Sequence, residues 1–122
     1  MEPFFRKFCD KYDLPEQTGL RLCSRMERQC FRKGECIVRQ GCRNPDFYIV
    51  GSGIWLGHYL NDGVDVSVWF AGEGEAIFST WGYVENAPSL ITIEAMCDSE
   101  IYRISKADAE AFFASSVEAA NF

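Results

Sequence analysis

Turn-forming residues divide residues 24–105 into short segments of apolar and polar residues. Glycine is the commonest of these, and the turns include Lys33-Gly34, Asn61-Asp62-Gly63 and 72–74. Closely spaced turns leave too few residues between them for long helices and are typical of all-β domains. The segments predict eight strands, at 26–31, 36–40, 47–50, 54–60, 64–70, 76–78, 90–95 and 100–104.

One hairpin is predicted with particular clarity, at Asn61-Asp62-Gly63 between two of these strands. Asp-Gly supplies the left-handed conformations that a two-residue hairpin turn needs. In the second strand of the hairpin, strict alternation predicts that four apolar residues share one face, Val64, Val66, Val68 and Phe70. Trp69 then falls among the polar residues of the other face, so we expect that face to be partly covered.

Helices are predicted on either side of the strands. Aromatic residues recur at helical spacing over 3–12, and a second short helix is predicted over 15–21, with Pro15 in its first turn. Ser105 is a predicted N-cap, with Asp108 three residues later, for a last helix extending to about residue 115.

Length and composition limit the function. The 122 residues are 48% hydrophobic and carry a net charge of −6, as expected of a single globular domain. This acidic balance disfavours nucleic-acid binding by the chain alone, because phosphate backbones attract basic surfaces. Its N-terminal segment has neither signal-peptide nor membrane-span character, so we predict a cytoplasmic protein without membrane contact. The six cysteines are expected to be reduced there.

Three segments resemble the effector domain of the Crp/Fnr family, a cyclic-nucleotide-binding-like domain. FRKGECIVRQG at 31–41 resembles its first hairpin, FYIVGSG at 47–53 a strand ending in a glycine turn, and SLITIEAMCDSEIYRIS at 89–105 its last paired strands. The resemblance implies a mainly β fold, a double-stranded β-helix or jelly roll with short N-terminal helices and a C-terminal helix. It divides a single domain into an N-terminal helical segment at 1–23, a β-roll at 24–105 and the start of a dimerisation helix at 106–122.

The segment between these strands, GEAIFSTWGYVENAPSLITIEA at 74–95, resembles the family's phosphate-binding cassette but lacks its charged residues. Where nucleotide-binding members have Gly-Glu and Arg-Ser or Arg-Ala, this chain has Phe78-Ser79 and Ser89-Leu90. A serine cannot replace the bidentate arginine. Burying an anion without a counter-charge costs several kcal/mol, roughly enough to cancel a micromolar affinity. The candidate ligand-binding residues are Phe78, Ser79, Thr80, Trp81, Ser89 and Leu90.

The resemblance implies the effector-sensing domain of a transcription regulator that does not bind cAMP in the usual way. It also implies an unknown small-molecule effector, a homodimer, and DNA contact only through a C-terminal domain absent from this chain. We expect this chain to be a domain excised from such a regulator. No catalytic residues, metal ligands or cofactor are predicted. The single histidine, His58, disfavours the metal site of the cupin enzymes, which share the β-roll architecture.

Alternative interpretations remain open. Phe78, Trp81 and Tyr83 are compatible with an apolar or aromatic ligand pocket and with simple packing of the cassette. The chain also fits a ligand-free module that binds proteins through its acidic surface and exposed aromatic residues. A redox sensor would use the six-residue spacing of Cys30, Cys36 and Cys42, although cysteine on a strand is most often a small core residue.

Overall fold

The computed structural model describes residues 2–114, which form four helices and eight strands. In chain order the elements are α1 (Pro3–Lys11), α2 (Glu16–Cys23), β1 (Glu27–Phe31), β2 (Cys36–Val38), β3 (Phe47–Ser52), β4 (Trp55–Asn61), β5 (Val64–Ala71), β6 (Ala76–Phe78), α3 (Thr80–Glu85), β7 (Thr92–Ala95), β8 (Ser99–Ile104) and α4 (Lys106–Ala114). All eight predicted strands are present. The predicted extension of the last helix and the dimerisation helix beyond residue 114 lies outside the described residues.

The strands form two four-stranded antiparallel sheets, with strand orders β1-β8-β3-β6 and β2-β7-β4-β5. In both sheets a strand from early in the chain pairs with one from the end. Pairing over such long sequence separations is what a roll of two facing sheets requires. The predicted mainly β jelly roll with flanking helices is confirmed. No helix within 2–114 has the length and apolar character needed to cross a bilayer.

Three strands are shorter than predicted: β1 begins one residue late, at Glu27, and β2 and β7 are shortened where they neighbour each other in the second sheet. The predicted strand 36–40 ends at Val38, since its ladder is irregular there and the Gln40 N–H donates to the Thr92 hydroxyl instead of a backbone carbonyl. The predicted strand 90–95 begins only at Thr92, because Ser89 and Ile91 form a local turn. Gln40 and Leu90 are consequently released from regular pairing.

The β4–β5 hairpin confirms the predicted turn and corrects the predicted faces. Asp62 and Gly63 both have positive φ, at 53° and 78°, as a type I′ turn requires. The register shifts where Gly57 pairs with Trp69 and the next residue of β4 with Ser67, which leaves Val68 as a bulge. Beyond the bulge the alternation is inverted. The predicted shared face is therefore wrong for Phe70, which is 62% exposed, whereas Trp69 packs against the core.

The core has two parts that meet at β3. Phe47 and Ile49 belong to a cluster with α1, α2 and α4, which we call the helical core. Tyr48 and Val50 belong to a cluster inside the two sheets, which we call the roll core. Successive residues of a strand point to opposite faces, so a strand buried on both faces contributes to two cores at once.

Candidate functional site

The cassette-like segment folds as β6, α3 and a loop that leads into β7. Ser79 is the N-cap of α3, and its hydroxyl accepts from the Gly82 N–H at 3.3 Å. Asn86 ends the helix in a left-handed conformation, with φ 51°, and its N–H donates to the Trp81 carbonyl. The cap therefore occupies the Gly82 N–H, one of the donors in the first turn of α3 that an anion could otherwise use.

Gly82 sets how closely α3 approaches the rest of the domain. A Cβ atom at this position would lie 2.1 Å from the carbonyl oxygen of Asn44. The Asn44 side chain is itself fixed, because its amide donates to the Ile37 carbonyl at 2.7 Å and to the Tyr48 hydroxyl at 2.9 Å. Helix α3 therefore packs against a braced backbone segment.

Ser89, which the resemblance places where nucleotide-binding members have arginine, directs its side chain to the chain itself. Its hydroxyl donates to the Ile91 carbonyl at 2.7 Å and accepts from the Ile91 N–H at 3.2 Å, and the residue is 1% exposed. The backbone of Ser89 also pairs with that of Gly41 and Cys42. Both serines of the cassette, Ser79 and Ser89, thus use their hydroxyls within the fold.

A cavity of about 360 Å³ lies between the cassette and the second sheet. Its walls come from β4, β5, α3 and the two segments released from pairing, and its lining residues are Gln40, Tyr59, Val68, Trp81, Leu90 and Ile91. None of these side chains is charged, and five of the six are largely apolar. Leu90 is 59% exposed and Val68 is 51% exposed. We refer to this site as the cassette cavity.

The structure brings together only two of the six candidate ligand-binding residues, Trp81 and Leu90, at the cassette cavity. Phe78 instead stacks on Phe47, with ring centroids 5.4 Å apart, and packs against the helical core. Thr80 is the first residue of α3, and its side chain lies outside the described part of the structure. A ligand role for the six residues stays a prediction.

Sequence reasoning missed four lining residues, which are Gln40, Tyr59, Val68 and Ile91. They come from distant strands and loops and carry no local motif. Val68 reaches the cavity from the β5 bulge, which strict alternation does not reveal. Gln40 is placed by long-range bonds, since its side-chain carbonyl accepts from the Leu60 N–H at 2.9 Å.

His58 of β4 forms a polar cluster with two carboxylates on the second sheet. Its Nδ1 lies 2.8 Å from Asp65 and its Nε2 lies 2.9 Å from Glu94, so both ring nitrogens face carboxylate oxygens. Both can donate only when the imidazole is protonated. Burial lowers the pKa of His58, but hydrogen bonds to the two carboxylates outweigh it and the pKa is raised above its ordinary value. His58 precedes Tyr59 on β4, so the cluster lies on the sheet face opposite the cassette cavity.

The cysteines do not form a recognisable redox or metal site within residues 2–114. All six are free thiols. No group of three or more His, Cys, Asp or Glu side chains in this part of the chain is arranged to hold a metal ion. Burial raises the pKa of the Cys9, Cys23 and Cys36 thiols, which reduces their thiolate fraction and their reactivity.

Comparison with known proteins gives one family. The sequence profile described as "Cyclic nucleotide-binding domain" matches residues 28–116, well over half of the chain. No curated protein sequence matches.

Solved structures share the fold at low identity. The catabolite activator protein of Thermus thermophilus is 19% identical, with a TM-score of 0.82 over 93% of this chain and 53% of that one. The N-terminal domain of a transcriptional regulator from Streptomyces coelicolor is 17% identical, with a TM-score of 0.79 over 98% of this chain and 85% of that one. A c-di-GMP responsive global regulator of Xanthomonas campestris is 18% identical, with a TM-score of 0.74 over 84% and 50%. The chain spans about half the length of the Thermus protein, and identities this low establish the fold alone.

Proposed function

Because this chain belongs to the cyclic nucleotide-binding domain family, we propose that it is the effector-sensing domain of a Crp/Fnr-type transcription regulator whose cassette does not hold a cyclic phosphate. The domain is regulatory rather than catalytic and responds to an uncharacterised small molecule. It acts in the cytoplasm as part of a homodimer, and DNA is bound by a further domain of the regulator. The likeness to transcription regulators of Thermus, Streptomyces and Xanthomonas supports this role.

The observation that carries the proposal is that the hydroxyls of both cassette serines form hydrogen bonds within the fold. Ser79 caps α3 through the Gly82 N–H, and Ser89 is 1% exposed and bonded to Ile91 at both its donor and acceptor sites. The Ser89 hydroxyl cannot donate to a phosphate without breaking its bond to the Ile91 carbonyl, and Ser79 is only 2% exposed. A bound phosphate would thus meet no replacement for the missing cation.

The walls of the cassette cavity support the same conclusion. A cyclic phosphate keeps one negative charge at neutral pH, and none of the six lining side chains is a lysine or an arginine. Desolvating that charge beside Trp81, Leu90 and Ile91 costs several kcal/mol, and a loss of about 4 kcal/mol is enough to take a micromolar affinity to the millimolar range. We therefore expect cAMP and cGMP to bind in the millimolar range or not at all.

Isothermal titration of the 122-residue chain with cAMP and with cGMP tests the proposal. We expect no saturable heat for either nucleotide at concentrations up to about 1 mM, which would reveal even weak affinity. A charged variant provides the comparison, because Leu90→Arg places a guanidinium on the exposed rim of the cavity and is expected to increase binding of both nucleotides. Saturable micromolar binding of cAMP to the unaltered chain would overturn the proposal.

A further inference from the structure

We propose that the cassette cavity binds an uncharged, planar aromatic molecule. This inference rests on the proposed function and gives the chemical class of its effector. The cavity's volume of about 360 Å³ lies at the lower end of the range of roughly 300–1,000 Å³ typical of small-molecule sites. A ligand of two or three fused or linked rings is the size that such a cavity accommodates.

The residues that line the cassette cavity favour an apolar ligand over a charged one. Trp81 and Tyr59 provide aromatic rings, and Val68, Leu90 and Ile91 provide aliphatic surface. Aromatic walls bind flat apolar molecules through stacked and edge-to-face contacts. A charged ligand would lose its hydration without gaining an ion pair.

The rim of the cavity exposes apolar side chains that a ligand would cover. Leu90 and Val68 are 59% and 51% exposed, and both line the cavity. Leu90 lies just before β7 and Val68 in the β5 bulge, and these two strands flank β4 in the second sheet. Both residues are exposed because they lie where regular strand pairing is interrupted. Covering these two side chains would remove apolar surface from water and favour binding.

The polar groups at the cavity fit a ligand with one or two hydrogen-bonding atoms. Gln40 is held in place by Leu60, whose N–H donates to the Gln40 side-chain oxygen and whose carbonyl accepts from its amide nitrogen. Within the described residues, the Tyr59 hydroxyl and the Trp81 indole N–H have no hydrogen-bond partner. These two groups can orient a ligand that carries a carbonyl or a hydroxyl without supplying charge.

Two fluorescent probes with the same aromatic frame test this inference. N-phenyl-1-naphthylamine is uncharged, and 8-anilinonaphthalene-1-sulfonate carries a sulfonate. We expect the uncharged probe to bind one molecule per chain, with blue-shifted emission, about tenfold or more tighter than the sulfonate. Equal affinities, or tighter binding of the sulfonate, would refute an uncharged-ligand site.

A pair of lysine variants locates the site. Leu90→Lys introduces a cation at the cavity rim and is expected to weaken the uncharged probe by about tenfold while strengthening the sulfonate. Val84→Lys makes the same charge change at a residue that is 63% exposed and outside the lining, and we expect affinities within about twofold of the unaltered chain. If both variants behave alike, the probe does not bind in the cassette cavity and the inference is wrong.

Further measurements separate failure of this inference from failure of the proposed function. Val68→Lys, at another exposed lining residue, repeats the test if Leu90→Lys changes the circular dichroism spectrum. If neither the uncharged probe nor cAMP binds, the ligand class is wrong while the absence of cyclic-nucleotide binding stands. If cAMP displaces the uncharged probe at micromolar concentration, both fail.

Discussion

Replacing Gly82 by alanine tests how α3 is seated. In an exposed helix this substitution stabilises a protein by about 1 kcal/mol, because alanine has the higher helix propensity. Here the new Cβ atom would lie 2.1 Å from the Asn44 carbonyl oxygen and 2.7 Å from its carbonyl carbon, so backbone must move. Restoring ordinary contact requires a shift of roughly 1 Å or more between two packed segments.

Overpacking of this kind costs about 1–3 kcal/mol, and the bracing of Asn44 by Ile37 and Tyr48 opposes relaxation. After the propensity gain of about 1 kcal/mol, we expect Gly82→Ala to lower the free energy of unfolding by up to about 2 kcal/mol. The assay is urea denaturation followed by far-ultraviolet circular dichroism, with the unaltered chain measured in parallel.

Gly72→Ala is the matched control. A Cβ atom at Gly72 has only Glu75 Oε1 within 4 Å, at 3.9 Å, and the backbone there is not left-handed. We expect this variant to be neutral or stabilised by up to about 1 kcal/mol, since alanine reduces the entropy of the unfolded chain. If Gly82→Ala is as stable as Gly72→Ala, the close seating of α3 on Asn44 is refuted.

The remaining predictions concern one titrating residue and one helix cap. Because the folded pKa of His58 is raised above its ordinary value of 6.5, its stabilising contribution is fully present below pH 6.5 and is lost as pH rises through the raised folded pKa. His58→Gln loses the ion pairs with Asp65 and Glu94. The free energy of unfolding of this variant should therefore change less with pH above 6.5 than that of the unaltered chain. An unchanged slope would show that these ion pairs do not stabilise the fold. Ser79→Ala should lower the free energy of unfolding by about 1 kcal/mol in urea, since the Gly82 N–H loses its acceptor. Ser79→Gly, which adds no atoms at this buried position and is a tolerated N-cap, should lose only roughly a few tenths of a kcal/mol, and equal losses in the two variants would exclude a capping role.

Local sequence signals predicted where strands, turns and helices lie better than they predicted which side chains face the core. The Asp62-Gly63 turn and the N-cap at Ser105 were identified because a few neighbouring residues determine their conformations, and the Ser105 hydroxyl does accept from the Asp108 N–H. The exposure of Phe70 was missed because the bulge depends on the partner strand. Periodicity within one strand contains no information about its partner.

The candidate site was predictable only where the family resemblance supplied a position. Trp81 and Leu90 were identified through the cassette and do line the cavity, whereas Gln40 and Tyr59 reach it through long-range pairing that no motif marks. Phe78 was assigned because the cassette resemblance places Phe78-Ser79 where nucleotide-binding members have Gly-Glu. Phe78 is the last residue of β6, and alternation with Ile77 of the roll core directs its side chain to the helical core.

Strand β3 provides a route by which an occupied cavity can affect the helices. Trp81 and Ile91, two of the cavity walls, pack in the roll core that also contains Tyr48 and Val50 of β3. The alternate residues of the same strand pack in the helical core with Phe112 of α4. A displacement of β3 along its axis would disturb both sides of the domain together, so this one strand mechanically couples the cassette cavity to α4.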